Sequence, residues 1–257
     1  TFTSMNLDEK IISALKDLDY KEATEIQKKA IPIALKKRDI LAAAQSGTGK
    51  TAAFLLPILT ELIANKQPNK PVLRTLILVP TRELASQISK AAEDLGKYLD
   101  VQKLAVFGGV STKEQEKKIA KGLDILVATS GRLMEHLKNG TVDLSSVTTV
   151  VIDEVDTMLD MGFLEDIEKI LPSVGPKRQI MMFSATMNQN VKKLAKEFLT
   201  DPVVIEVAQQ RSAVKIIDQQ IVLVDEANKA AALSYIIGSK NYSQVLVFVN
   251  MKIEADT

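Results

Sequence analysis

The stretch Ala44-Gln45-Ser46-Gly47-Thr48-Gly49-Lys50-Thr51 constrains this chain more than any other. It follows the apolar run Asp39-Ile40-Leu41-Ala42-Ala43 and precedes a helical pattern through Phe54, Leu55, Ile58, Leu59 and Leu62, so it predicts strand, glycine loop and helix in succession. Gly47 and Gly49 permit positive φ and close approach of backbone to an anion, and the helix start adds unpaired N–H groups. Lys50 is placed to reach β- and γ-phosphates and the Thr51 hydroxyl to sit on Mg²⁺, with Gln45, Ser46 and Thr48 completing the cradle. Ala44 stands where the strict pattern has glycine. Taken alone, the stretch also fits a plain glycine turn.

Five further hydrophobic runs end in polar residues that suit a ligand mouth. Thr75–Val79 stops at Pro80-Thr81-Arg82-Glu83, the run 101–107 at Gly108-Gly109, and the run 124–128 at Thr129-Ser130-Gly131-Arg132. Singly, these are turn and cap residues; together they offer backbone N–H groups, hydroxyls and two guanidinium groups to a phosphate chain. The β-branched run 148–152 delivers Asp153-Glu154-Val155-Asp156. In a parallel sheet those acids share a mouth with the glycine loop, where Asp153 can hold Mg²⁺ and Glu154 can orient or deprotonate a water. Ile180–Phe183 ends in Ser184-Ala185-Thr186. Ahead of the loop, Thr24 and Gln27 have the S/T-x-x-Q spacing of a capping box, which also leaves an oriented amide able to face a base edge.

Strands and helices alternate in this way about seven times, predicting an α/β domain with a mostly parallel sheet covered on both faces. Periodicity lapses from Ala208 to Asp218, where Gln209, Gln210, Arg211, Ser212 and Lys215 read as a linker. Beyond it, 220–224 and 245–249 are strand-like and 226–237 is helical, as if a second α/β unit begins; the chain reads as part of a longer protein. Composition narrows the chemistry. The absence of cysteine excludes a disulfide framework and any thiolate metal site in this sequence, and the single histidine, His136, argues against a histidine metal site or a His-based triad. With 33 basic and 32 acidic residues, any nucleic-acid site is a local patch. No leader and no apolar run of membrane-spanning length is evident, giving the expectation of a cytoplasmic monomer.

In order along the chain, these segments resemble the DEAD-box ATP-dependent RNA helicases. Glu22–Gln27 is similar to the family's Q motif, with Phe2 and Tyr20 as nearby aromatics; Ala44–Thr51 resembles motif I, Pro80–Ala85 motif Ia, and Gly108-Gly109 the GG motif. Thr129–Arg132 resembles motif Ib, Asp153–Asp156 motif II, Ser184–Thr186 motif III and Val247–Asn250 motif IV. The resemblance implies a RecA-like P-loop domain over residues 1–207, a linker over 208–218, and the start of a second RecA-like domain over 219–257. It implies ATP and Mg²⁺ as ligands, with Phe2, Tyr20, Gln27 and the glycine loop binding nucleotide, Lys50, Asp153 and Glu154 catalytic, and Thr51 and Asp153 on the metal, partly through water. It further implies that Asp156, Ser184 and Thr186 couple hydrolysis to RNA, and that Pro80, Thr81, Arg82, Gly108, Gly109, Thr129, Gly131 and Arg132 hold its backbone. Ala23 and Ser130 replace the family's usual prolines, a loss of preorganisation of about 0.4–1 kcal/mol each. No stretch matches motifs V and VI, so these residues alone are expected to show weak or no unwinding. A nucleotide-dependent RNA clamp without turnover, or a metabolic P-loop kinase or transporter ATPase, are the competing readings.

Overall fold

A computed structural model describes residues 1–65, 71–207, 218 and 220–249. The chain divides into two compact units, Thr1–Gln209 and Gln210–Thr257. In the first, short apolar runs alternate with helices in the order α1 (Glu9–Asp17), α2 (Glu25–Leu35), β1 (Ile40–Ala43), α3 (Lys50–Ala64), β2 (Thr75–Val79), α4 (Arg82–Leu95), β3 (Lys103–Val106) and α5 (Thr112–Ile119). There follow β4 (Ile125–Thr129), α6 (Ser130–Lys138), β5 (Thr149–Ile152), α7 (Val155–Asp160), α8 (Leu164–Ile170), β6 (Gln179–Ser184), α9 (Gln189–Phe198) and β7 (Val203–Glu206). Among the described residues these strands form one seven-stranded sheet ordered β3-β4-β2-β5-β6-β1-β7. Every pairing is parallel, so the sheet is wholly rather than mostly parallel.

The pleat sorts each strand's side chains between two cores. Ile40 and Ala42, Ile77 and Val79, Ile125 and Val127, Val151, and Met181 and Phe183 join one cluster, which α1 to α4 cover through residues such as Ile11, Ile26, Phe54 and Ile88. Leu41, Leu76 and Leu78, Leu126 and Ala128, Val150 and Ile152, and Ile180 and Met182 join the other, covered from Leu133, Met158, Ile167 and Val191 on α6 to α9. Successive residues therefore point to opposite faces, and both faces are dry, which is why these runs read as continuously apolar. Phe54 and Phe183 meet across the first core with ring centroids 5.4 Å apart. Helix starts are fixed by capping side chains: Asp8 accepts from the Lys10 N–H, Thr81 from Leu84 and Asn188 from Val191.

At the edge where the strands begin, Asp39 ties three of them together. Its buried carboxylate accepts from the N–H groups of Ile180 at 2.8 Å and Thr200 at 2.7 Å, and its carbonyl accepts from Val203 at 2.9 Å. Beside it, the Gln179 amide donates to the carbonyls of Ala34 and Arg38, closing the end of α2 onto β6. These bonds set β1 between β6 and β7 in the observed register.

The second unit is described over part of its length. A 3₁₀ turn at Glu226–Asn228 leads into α10 (Lys229–Lys240), in keeping with the expected helix. The two expected strands are not present: neither 220–224 nor 245–249 adopts strand structure, and Ile221, Leu223, Leu246 and Phe248 are largely exposed. A strand exists only with a ladder partner for its N–H and C=O groups, and the described residues of this unit supply none. The linker residues 208–217 and Asn250 lie outside the described residues.

Removing the Asp39 carboxylate strands the buried N–H of Ile180 and the part-buried N–H of Thr200. Asp39→Ala is expected to destabilise the first unit by about 2–4 kcal/mol in urea denaturation, and a loss under about 0.5 kcal/mol would contradict this account.

Candidate functional site

Because the sheet is parallel, every loop that follows a strand emerges at one edge, and the strand order decides which loops meet. The adjacent strands β5, β6 and β1 bring together Asp153-Glu154, Ser184-Ala185-Thr186 and the glycine loop. The adjacent strands β3, β4 and β2 bring together Gly108-Gly109, Thr129–Arg132 and Pro80–Arg82. The predicted residues thus fall into two neighbouring groups along a single edge.

In the first group, Ala43 pairs with Ser184 in register and the Ala44 N–H donates to the Ser184 carbonyl at 2.9 Å, fixing where the loop leaves the sheet. Gly47 and Gly49 have φ of +80° and +94°, conformations that glycine adopts without strain. Gly49 is the N-cap of α3 and provides no side-chain acceptor, so the first N–H groups of that helix are open to an anion. It is also tightly enclosed: a Cβ there would stand 2.5 Å from Gln27 Nε2 and 3.0 Å from Thr24 Oγ1.

That contact reveals what the capping box does. Gln27 Oε1 accepts from the Thr24 N–H at 2.9 Å while Nε2 donates to the Gly49 carbonyl at 3.1 Å, so the cap of α2 is bonded directly to the glycine loop. Gln27 is 1% exposed. Of the two aromatics, Phe2 is buried in the core beside Ala23 and Ile26, and Tyr20 is the exposed one, with the rings edge to face at 6.3 Å.

Lys50 lies in the first turn of α3 with its side chain buried. Its Nζ makes no hydrogen bond, and the closest opposite charge is Asp153 Oδ1 at 3.9 Å. A buried ammonium without a hydrogen-bond acceptor is costly, and phosphate oxygens brought to the loop would relieve it. Asp153 accepts from the Glu154 N–H at 2.9 Å. Burial pushes its carboxyl up to about 6 despite the opposing pull of Lys50 and of that N–H. Together with the Thr51 hydroxyl two residues into α3, it offers oxygen donors of the kind a hard divalent cation takes. Among the described residues, no cluster of three or more His, Asp or Glu side chains forms a closed metal cage. Glu154 sits in the left-handed region at φ +54°, an uncommon conformation for a residue with a side chain. Asp156 accepts from the Thr186 N–H at 2.8 Å, the Thr186 hydroxyl at 3.0 Å and the Ala185 N–H at 3.4 Å. Burial raises its carboxyl, but the Thr186 and Ser184 hydroxyls and these N–H groups prevail and hold it below the ordinary value. The adjacent Ser184 hydroxyl is fully buried and lies near enough to that carboxylate to lower it, though outside good hydrogen-bond geometry.

In the second group, Arg82 is exposed and stands beside the turn: a Cβ on Gly109, at φ +85°, would lie 3.0 Å from its guanidinium. Arg132 differs, since its side chain is only 10% exposed and pairs with Glu135 at 2.9 Å. Its guanidinium also donates to the Val110 carbonyl at 3.0 Å and to Gln115 Oε1 at 2.9 Å. Ser130, at the place of the family's proline, is buried with its hydroxyl unpartnered. Gln115 and His136 were not among the predicted residues. Gln115 lies in a charged helix with no motif around it, and its burial is its one distinguishing signal.

The residues 24–194 match the family model described as DEAD/DEAH box helicase. The chain is 39% identical over 256 residues to the DEAD-box ATP-dependent RNA helicase RhpA of Helicobacter pylori, covering 100% of this chain and 51% of that protein. It is 36% identical to the DEAD-box ATP-dependent RNA helicase CshA of Bacillus subtilis, again over 100% and 51% of the two lengths. A crystal structure of a DEAD box protein from the hyperthermophile Methanococcus jannaschii superposes with a TM-score of 0.76 at 34% identity, covering 92% of this chain and 62% of that one. The chain thus spans about half the length of the curated relatives it matches.

His136 gives a pH prediction. Burial and the nearby Arg132 guanidinium hold its imidazole below the ordinary value, so the unfolded chain binds that proton more readily than the folded one. Its contribution to stability is full above the unfolded pKa of about 6.5 and is lost as pH falls below it. As this is the only histidine, an NMR titration of its ring reports one group, and a midpoint at or above about 6.5 would contradict the assignment.

Proposed function

The chain belongs to the DEAD/DEAH box helicase family, and from that membership we propose that it is the nucleotide-binding half of an ATP-dependent RNA helicase, which hydrolyses ATP to remodel short RNA duplexes without regard to sequence. The observation that carries this reading is Lys50 Nζ, buried, lacking a hydrogen-bond acceptor and set beside Asp153 at the foot of the loop. A triphosphate would supply the acceptors, held by Lys50 and the open N–H groups at the start of α3. Tyr20 and the Gln27 amide, on the α2 side of the loop, would meet adenine, with Phe2 supporting Tyr20 from the core.

A Mg²⁺ ion held by the Thr51 hydroxyl and the Asp153 carboxylate, partly through water, would neutralise charge developing on the phosphates. Glu154 would orient the attacking water and accept its proton. Phosphoryl transfer depends chiefly on positioning, and the backbone turn at Glu154 is braced by the Asp153 carboxylate that accepts its N–H. Asp156, bonded to Ala185 and Thr186, would carry a change at the nucleotide into the Ser184–Thr186 segment. The neighbouring strand ends at Pro80–Arg82, Gly108-Gly109 and Thr129–Gly131 would line an RNA backbone, whose contacts carry no sequence information. The second unit would begin a further RecA-like domain.

Two variants of the full-length protein test this. Glu154→Gln is expected to lower RNA-stimulated ATP turnover by about 10²–10⁴-fold while nucleotide binding persists, and unchanged turnover would remove Glu154 from its role. Gln27→Ala is expected to erode the preference for ATP over GTP in competition binding. Equal affinity of the unmodified protein for both nucleotides would overturn the adenine assignment.

A further inference from the structure

The two arginines at the RNA-facing strand ends are not equivalent. Arg82 is 62% exposed at its side chain, whereas three donors of Arg132 are committed inside the protein: Nε to Glu135, and one amino group to both the Val110 carbonyl and Gln115 Oε1. Gln115 is itself buried at the hub of this arrangement. Its Nε2 donates to the Phe107 carbonyl at 3.2 Å, and its Oε1, already accepting from Arg132, lies 3.0 Å from His136 Nε2. Arginine can only donate, so the orientation of the Gln115 amide is set and His136 must carry its proton on Nε2. The two carbonyls held in this way, Phe107 and Val110, flank Gly108-Gly109 on either side.

We propose that Arg132 and Gln115 are positioning residues that fix the Gly108-Gly109 turn for RNA, Arg132 acting through the Val110 carbonyl rather than by contacting phosphate. The inference rests on the RNA-binding reading above. Gly108 has open space around its Cα and Gly109 adopts φ +85°, so the turn has little intrinsic preference for one shape. What holds it are the two carbonyl bonds, one from α5 and one from α6. A turn so braced presents its N–H groups to a phosphate at lower ordering cost than a free one. Serving Glu135 from Nε while one amino group serves both Val110 and Gln115 needs two nitrogens held in one plane, which the single ammonium of lysine lacks.

The test is fluorescence anisotropy of a labelled single-stranded oligouridylate with the full-length protein, Mg²⁺ and a non-hydrolysable ATP analogue, repeated over a series of KCl concentrations. Arg132→Lys and Gln115→Met both keep the net charge. Each is expected to weaken oligouridylate binding about tenfold, with the salt slope and the affinity for the ATP analogue unchanged. Arg82→Ala, which removes an exposed charge, is expected to reduce the slope by about 0.7. Retained affinity in Arg132→Lys would overturn the proposal, because a direct phosphate contact tolerates lysine. A parallel loss of nucleotide affinity in both variants would also overturn it, since that marks a general loosening of the fold. Failure of the unmodified protein to bind oligouridylate would overturn the RNA reading itself, a result distinct from either.

Discussion

Everything at the candidate site depends on the strands being parallel, because that puts every functional loop at one edge of the sheet. A parallel sheet requires a crossover between successive strands, and here the crossovers are helices packed on both faces. The cost is that the sheet must be apolar on both sides, and the two clusters around Ile40, Ile77 and Phe183 and around Leu41, Leu78 and Met182 meet it. Adjacency then divides the labour. β6 lies between β5 and β1, so Ser184–Thr186 sits between the acidic segment and the glycine loop, while β3, β4 and β2 gather Gly108-Gly109, Thr129–Arg132 and Pro80–Arg82.

The glycine-loop side of the edge is where this framework carries unfavourable local chemistry. Lys50 is buried without a hydrogen-bond acceptor, Asp153 is pushed up to about 6 by its burial, and Glu154 occupies left-handed backbone. The Lys50–Asp153 separation of 3.9 Å is too long for a direct hydrogen bond, so the pair offsets charge without satisfying donors. Such groups are tolerable because the surrounding core is extensive, and a charged ligand would find them already dehydrated.

Hydrogen bonds between segments distant in sequence turn the separate motifs into one device. Gln27 joins the start of α2 to Gly49, and Asp156 joins the acidic segment to Thr186. Gln115 joins α5, α6 and the turn after β3. In each case a buried polar side chain commits hydrogen bonds to a loop, and the loop thereby acquires a defined shape.

Much of this was legible from residue order alone, for a physical reason. The glycine loop is local chemistry: Gly47 and Gly49 are needed where φ is positive, and Lys50 and Thr51 follow at fixed offsets, so the pattern survives without knowledge of the fold. The same holds for the Thr24–Gln27 box and for the apolar runs that became the inner strands β2, β4, β5, β6 and β1, because burial on both faces leaves its mark on nearly every residue of such a strand. What depends on distant partners was not legible. The runs 220–224 and 245–249 have strand composition yet form no strand, since a ladder needs a neighbour and composition does not supply one. The order β5-β6-β1, the contact of Gln27 with Gly49, and the burial of Arg132 against Gln115 were decided by packing. Sequence determined which groups could bind phosphate; tertiary structure decided which of them remain free to do so, because a donor already bonded inside the protein has little left to offer a ligand.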